Sequence, residues 1–222
     1  MKRSEINEWL THAVAFLAEM KFKLPPWAYW SPERWSSADE DLSEITGNML
    51  GWDVTDFGSE RFFERGLLLF TIRNGNVNVG GKTYAEKIML VREGQETPYH
   101  FHWKKTEDII NRGGGNLVLE LRHSRDDGEF SDEPVDVVID GITRRVESGG
   151  QVVLTPGESI TLYPGLYHRF FAEGAPVLTG EVSTVNDDRT DNRFFEQAGR
   201  YPSVDEDESP VHLLVSDYAQ YV

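Results

Sequence analysis

Cysteine is absent from all 222 residues, which excludes disulfides, thiolate metal sites and cysteine nucleophiles. The fold must therefore be held by its core, and any metal must be bound through nitrogen and oxygen. Cations are scarce: 22 Lys and Arg stand against 38 Asp and Glu, a net charge of -16. That balance argues against nucleic acid and against an anionic membrane surface, since both select basic patches. It is compatible with cation binding without establishing it. Long apolar runs are missing as well, and none approaches the roughly twenty residues that span a bilayer. The N-terminal stretch "MKRSEINEWLTHAVAFLAEMKF" is basic and then partly apolar, but Glu5, Glu8 and His12 interrupt it. It lacks the continuous apolar centre and small-residue cleavage site of a signal peptide. The expectation is a soluble cytoplasmic protein.

Aromatics are plentiful, with 6 Trp, 12 Phe and 8 Tyr, enough for a substantial core. Ile6, Leu10, Ala13, Val14, Leu17 and Met20 recur at steps of three and four, predicting an amphipathic helix opened by Ser4 and ended by Pro25 and Pro26. A second short helix is expected around 38–46. From Gly66 onward the pattern changes to short apolar or alternating runs. "GLLLFTIR", "EKIMLVRE", "TPYHFHW", "NLVLELRH", "PVDVVID", "ITRRVE", "QVVLTPG", "ITLYPGLYHRFF" and "PVLTGEVSTV" read as strands. Asn74-Gly75, Gly113-Gly114-Gly115, Asp127-Gly128, Asp140-Gly141 and Gly149-Gly150 read as the turns between them. This spacing predicts an all-β sandwich or barrel at 66–200. An N-terminal, partly helical extension at 1–65 packs on it, and an acidic loop with a short apolar segment follows at 201–222.

The stretch "GQETPYHFHWKKTE" at 94–107 concentrates the chemistry. Alternation on a strand puts Pro98, His100 and His102 on one face and Tyr99, Phe101 and Trp103 on the other. Two imidazoles about 6 to 7 Å apart along a strand can converge on one ion. The three aromatics are too much apolar surface to leave wet, so they are expected beneath the N-terminal extension or at a subunit interface. Glu107, after a short turn, can return a carboxylate to the histidines, or else is a solvated turn carboxylate, beside an equally plausible Asp108. His168, after Pro164-Gly165, supplies a third imidazole. His12, His123 and His212 read as ordinary surface or core histidines. Three imidazoles and a carboxylate suit Mn²⁺, Fe²⁺, Co²⁺, Ni²⁺ or Zn²⁺.

Further candidates surround that set. On "VLTGEVSTV", Thr179, Glu181 and Ser183 share a face, making Glu181 a candidate base whose pKa burial would raise. The alternative is an outward, solvated glutamate. Lys105, between two candidate ligands, is a candidate acid or substrate-oxygen contact, or else a solvated turn lysine. Lys87, on an otherwise apolar strand face, is a candidate substrate contact. Asp188 and Arg193 in "VNDDRTDNRFF" are candidates for binding hydroxyls, against a plain loop network of Asp–Arg pairs.

Gly94, His100, His102, Glu107 and Gly114 reproduce every spacing of the first cupin motif. The second motif is looser: Gly157, Gly165 and His168 match, Pro164 is adjacent to Gly165 rather than two residues before it, and Ala172 replaces an asparagine. Cupins are double-stranded β-helix jelly rolls with ligands at the barrel mouth. More narrowly, "EKIMLVREGQETPYHFHWKKTEDIINRGGGNLVLELRHS" and the stretch from "YPGLYHRFFAEG" to "GEVSTVNDDRTDNRFF" resemble the bacterial D-lyxose isomerases, over nearly the whole chain. The resemblance implies a Mn²⁺-dependent aldose–ketose isomerase acting on the monosaccharide D-lyxose, often also on D-mannose, through a metal-stabilised cis-enediolate. Cupins commonly form homodimers, and a homodimer is expected here. The rival readings are a cupin dioxygenase using Fe²⁺ in the same site and a non-catalytic sugar-binding cupin.

Overall fold

The computed structural model describes residues 1–188, 190–199 and 202–222. The expected boundary between 66–200 and 201–222 falls on residues 200 and 201, outside the described residues. Helix α1 (Arg3–Glu19) is followed by two short helices, α2 (Pro32–Ser36) and α3 (Ser43–Gly47), and by the first strand, β1 (Gly51–Thr55). Ser4 does not open α1. Its amide and hydroxyl bind Asp207, while Glu5 accepts the Lys2 amide at the helix start.

The strands are β2 (Leu67–Arg73), β3 (Tyr84–Val91), β4 (Glu96–His102), β5 (Glu107–His123), β6 (Val135–Ile139), β7 (Ile142–Val146), β8 (Gln151–Leu154), β9 (Ser159–Leu162), β10 (Leu166–Thr184) and β11 (Asn192–Phe194). Their named pairings are all antiparallel. One path runs β1-β2-β3-β10-β5-β9-β6-β7, while β4 pairs with β10 and β11, and β8 with β5. The long strands β5 and β10 serve both halves. The N-terminal part of β10 pairs with β4, and its C-terminal part with β3. The result is an all-β jelly-roll barrel.

Two departures from the sequence expectation follow from these long strands. Gly113–Gly115 is not a turn but an irregularity within β5, where the register with β10 shifts. Gly114 has φ +101, and a Cβ there would meet the Pro176 carbonyl, so a glycine lets the two backbones pass. The run "ITLYPGLYHRFF" divides into β9 and the start of β10, which then absorbs the last predicted strand.

"LLLF" is apolar on both faces because both are covered. Leu67 and Leu69 point into the barrel with Met89, Ile109 and Phe170. Leu68 and Phe70 point out, beneath Ile6, Leu10 and Leu17 of α1. Fully burying such a side chain contributes about 1.5–3 kcal/mol. The helical extension thus covers β1, β2, β3 and the C-terminal half of β10, not the aromatic stripe of β4. Of that stripe, Tyr99 packs at 5.0 Å on Phe130, which stacks on Phe195 at 3.8 Å, and Phe101 lies 4.7 Å from Tyr167, while Trp103, expected to be covered, stays 57% exposed.

Candidate active site

The barrel interior is apolar at its base and charged at one end. His100 and His102 stand on β4, and His168 on β10 is the register partner of His100. The His100 and His168 rings are 4.2 Å apart between centroids, and one nitrogen from each of the three histidines lies within 4.8 Å of the others. Glu107 is the first residue of β5 and is buried. Its Oε1 lies 3.3 Å from His102 Nε2 and 3.2 Å from His168 Nε2.

Backbone carbonyls set the orientation of two rings. His100 Nδ1 is 2.9 Å from the Pro98 carbonyl oxygen, and His168 Nδ1 is 3.0 Å from that of Leu166. Nδ1 must then carry the hydrogen and donate it, which turns the lone pair of Nε2 toward the shared centre. His102 Nε2 and His168 Nε2 are buried without a hydrogen-bond partner. Burial and the neighbouring imidazoles hold His100 well below the usual histidine range, and burial likewise lowers His102. Burial would raise Glu107, but Lys105 and His102 outweigh it and hold the carboxyl well below the ordinary value. Imidazoles with orphaned nitrogens around an ionised carboxylate form a donor set that fits a divalent first-row metal.

Beside it lies a buried cluster of lysines and carboxylates. Lys105 Nζ is 2.7 Å from Glu107 Oε2, 3.0 Å from Glu181 Oε1 and 3.3 Å from Asn186 Oδ1. Glu181 on β10 is the register partner of Lys87 on β3, whose Nζ lies 3.4 Å from Glu181 Oε1. Lys87 also donates to Asn186 Oδ1 at 2.6 Å, and Asp188 is 3.8 Å away. Ser183 Oγ donates to Glu181 at 3.1 Å.

Burial does not raise the Glu181 pKa on balance, contrary to the sequence expectation. It pushes upward, but the charges of Lys105 and Lys87 prevail and the carboxyl sits below its ordinary value. Lys105 behaves reciprocally: burial disfavours its charge, and Glu107 with Glu181 restores and exceeds it. Carboxylate and ammonium are both held ionised and in contact.

The predicted site residues therefore gather, with one exception. His100, His102, Glu107, His168, Lys105, Glu181, Lys87 and Asp188 all line one cavity. Arg193 does not. On β11, Asn192 and Phe194 pair with His102 and His100 and line the cavity, so Arg193 between them, opposite Phe101, faces outward beside Gly128.

Sequence reasoning missed the residues that hold the loops. The Asp191 carboxylate accepts the backbone amides of Lys104 and Lys105, at 2.9 and 3.0 Å, fixing the turn that carries Lys105. Asn186 bridges the two lysines, and its own amide donates to Asn74 Oδ1 at 3.0 Å. Both lie in or beside "VNDDRTDNRFF", whose density of short polar residues was visible, but their partners were not.

A β jelly roll with histidines and a glutamate gathered at one end has the architecture of a cupin sugar isomerase. The sequence matches the D-lyxose isomerase family over residues 1–218. It is 49% identical over 226 residues to the D-lyxose/D-mannose isomerase of Escherichia coli O157:H7, covering 100% of both chains. It is 45% identical over 229 residues to the protein of that name from Serratia proteamaculans, again over 100% of both. In fold, it resembles the solved structure of Cellulomonas parahominis L-ribose isomerase with L-psicose, with a TM-score of 0.62 and 17% identity over 92% of this chain and 98% of the other. The chain belongs to the D-lyxose isomerase family and is an aldose–ketose isomerase. That sets aside the dioxygenase and the non-catalytic sugar-binding readings.

Proposed function

We propose that the enzyme interconverts D-lyxose and D-xylulose, and D-mannose and D-fructose, using a divalent metal, in the first place Mn²⁺, on His100, His102, Glu107 and His168. The observation that carries this reading is Lys105, whose ammonium joins the ligand Glu107 to the base Glu181. Aldose–ketose interconversion moves a proton between adjacent carbons while negative charge develops on their two oxygens. A divalent ion on these ligands supplies positive charge for those oxygens. Glu181 takes the proton from C2 of the open-chain aldose, the C–H electrons form the enediolate double bond, and the same carboxyl returns the proton to C1. Lys105 hydrogen-bonds the sugar oxygen next to the metal ligands and supplies and recovers the oxygen-bound proton. Lys87 and Ser183 hold the Glu181 carboxylate in place, and Asp188 faces the sugar hydroxyls.

The test is turnover in D₂O by chelated protein before and after Mn²⁺ is restored. D-xylulose is expected from D-lyxose only after Mn²⁺, carrying solvent deuterium. Metal-loaded protein inert on D-lyxose and D-mannose alike would end this reading, and product free of deuterium would point instead to hydride transfer or to a proton fully shielded from solvent on Glu181.

A further inference from the structure

One hydroxyl in the cavity has no partner. Thr97 is buried, lines the cavity, and its Oγ1 makes no hydrogen bond. Thr55, the other cavity threonine, already accepts the Phe57 amide at 3.0 Å. Thr179 also carries an unpartnered hydroxyl, but it does not line the cavity.

Thr97 faces inward because β4 is bulged. His100 pairs with His168, and Thr97 pairs with Phe170, so three steps along β4 match two along β10. The extra residue reverses the alternation, and Thr97 joins the face of His100 instead of the face of Tyr99. Its register partner is Phe170, and Phe57, Leu67, Leu69 and Phe194 line the same cavity. Glu181 and Lys87 stand on the pairing of β10 with β3, whereas Thr97 stands on that of β10 with β4. A neutral hydroxyl in a cavity with an apolar lining, on a different strand pairing from the Glu181 carboxylate, suits a group that both donates and accepts. A sugar hydroxyl is such a group.

We propose that Thr97 binds a hydroxyl of the monosaccharide and so sets which sugars are accepted. The inference rests on the sugar-isomerase reading of the same cavity. The test is steady-state kinetics of Thr97→Val, Thr97→Ser and Thr97→Ala on D-lyxose and D-mannose, with bound Mn²⁺ measured by elemental analysis.

Thr97→Val keeps the shape and removes the hydroxyl. Its kcat/KM is expected to fall about tenfold, mostly through KM, the loss of one neutral hydrogen bond. Thr97→Ser restores the hydroxyl and is expected within about threefold of wild type, with Mn²⁺ content unchanged throughout. Wild-type kcat/KM in Thr97→Val, or an equal fall in Thr97→Ser, would overturn the assignment. Should Thr97→Val fail to fold, Ser must exceed Ala by the same margin, and equality of those two overturns it. Wild-type enzyme inert on both sugars would instead end the substrate reading. The Thr97 comparison then runs on whichever aldopentose or aldohexose the enzyme converts, and both fall if it converts none.

Discussion

Two buried cations in this molecule each sit between two carboxylates, and their surroundings differ. Arg3, at the start of α1, binds Asp217 at 2.9 and 3.1 Å and Glu206 at 2.7 and 2.8 Å. Its side chain and that of Lys105 are each 2% exposed. The planar guanidinium presents its donors in a fixed fork that two carboxylates fill. Asp217 also accepts the Leu214 amide at 2.8 Å, so it too is well partnered. This cluster pins the first helix to the C-terminal segment. Around Lys105 the charges balance just as well, but the neighbours do not. His102 Nε2, His168 Nε2 and the Thr97 hydroxyl are buried and unpartnered nearby. Charge pairing alone therefore does not set the two clusters apart; the unpartnered groups that line the cavity beside Lys105 do.

Three substitutions break or sharpen this contrast, in order of falling effect. Glu181→Gln is expected to lower kcat per folded molecule by roughly 10²- to 10⁴-fold, the usual scale of general acid–base catalysis. A drop in melting temperature with full kcat would make Glu181 structural. Arg3→Ala should do the reverse. Removing one partner of a buried pair costs about 3–5 kcal/mol, read as a fall in the urea midpoint, while kcat per folded molecule is retained.

The smallest effect belongs to a third cluster, on the barrel's outer wall, where Glu120 accepts from Arg169 at 2.6 Å, with Gln151 and Tyr99 alongside. The Arg169 hydrogen bond leads in lowering the Glu120 pKa from 4.5 to about 2. A folded-state pKa below the unfolded one contributes stability that is full above pH 4.5 and is lost as pH falls toward about 2. Glu120→Gln should thus lower the urea midpoint at pH 7 by an amount on the order of 1 kcal/mol or less. The gap from wild type should close as the pH falls through that window. A gap that widens on acidification would reverse the sign and exclude this origin.

Much of this was legible in the sequence because it is local. Alternation marked the strands, and the spacing from His100 to Glu107 marked three side chains meant to meet, with His168 added by the Pro164-Gly165 turn before it. Glu181 was legible by its flanking hydroxyl residues. What stayed hidden depended on partners distant in the chain. Strand β1 carries "GWDVT", buried at every position, so it has no alternation to read. Thr97 faces inward only because β10 sets a bulge opposite it. Arg193 faces outward through the parity of a three-residue strand whose register is fixed by β4. The direction of the Glu181 shift was decided by two lysines that only folding brings to it.

Strand β10 carries His168 near one end and Glu181 near the other. The proposed metal-side and proton-transfer groups thus stand on one strand rather than on separately docked loops. That strand is hydrogen-bonded to β3, β4 and β5. Loss of those ladders would displace His168 and Glu181 alike, so the spacing between the two is a property of the sheet and not of any loop.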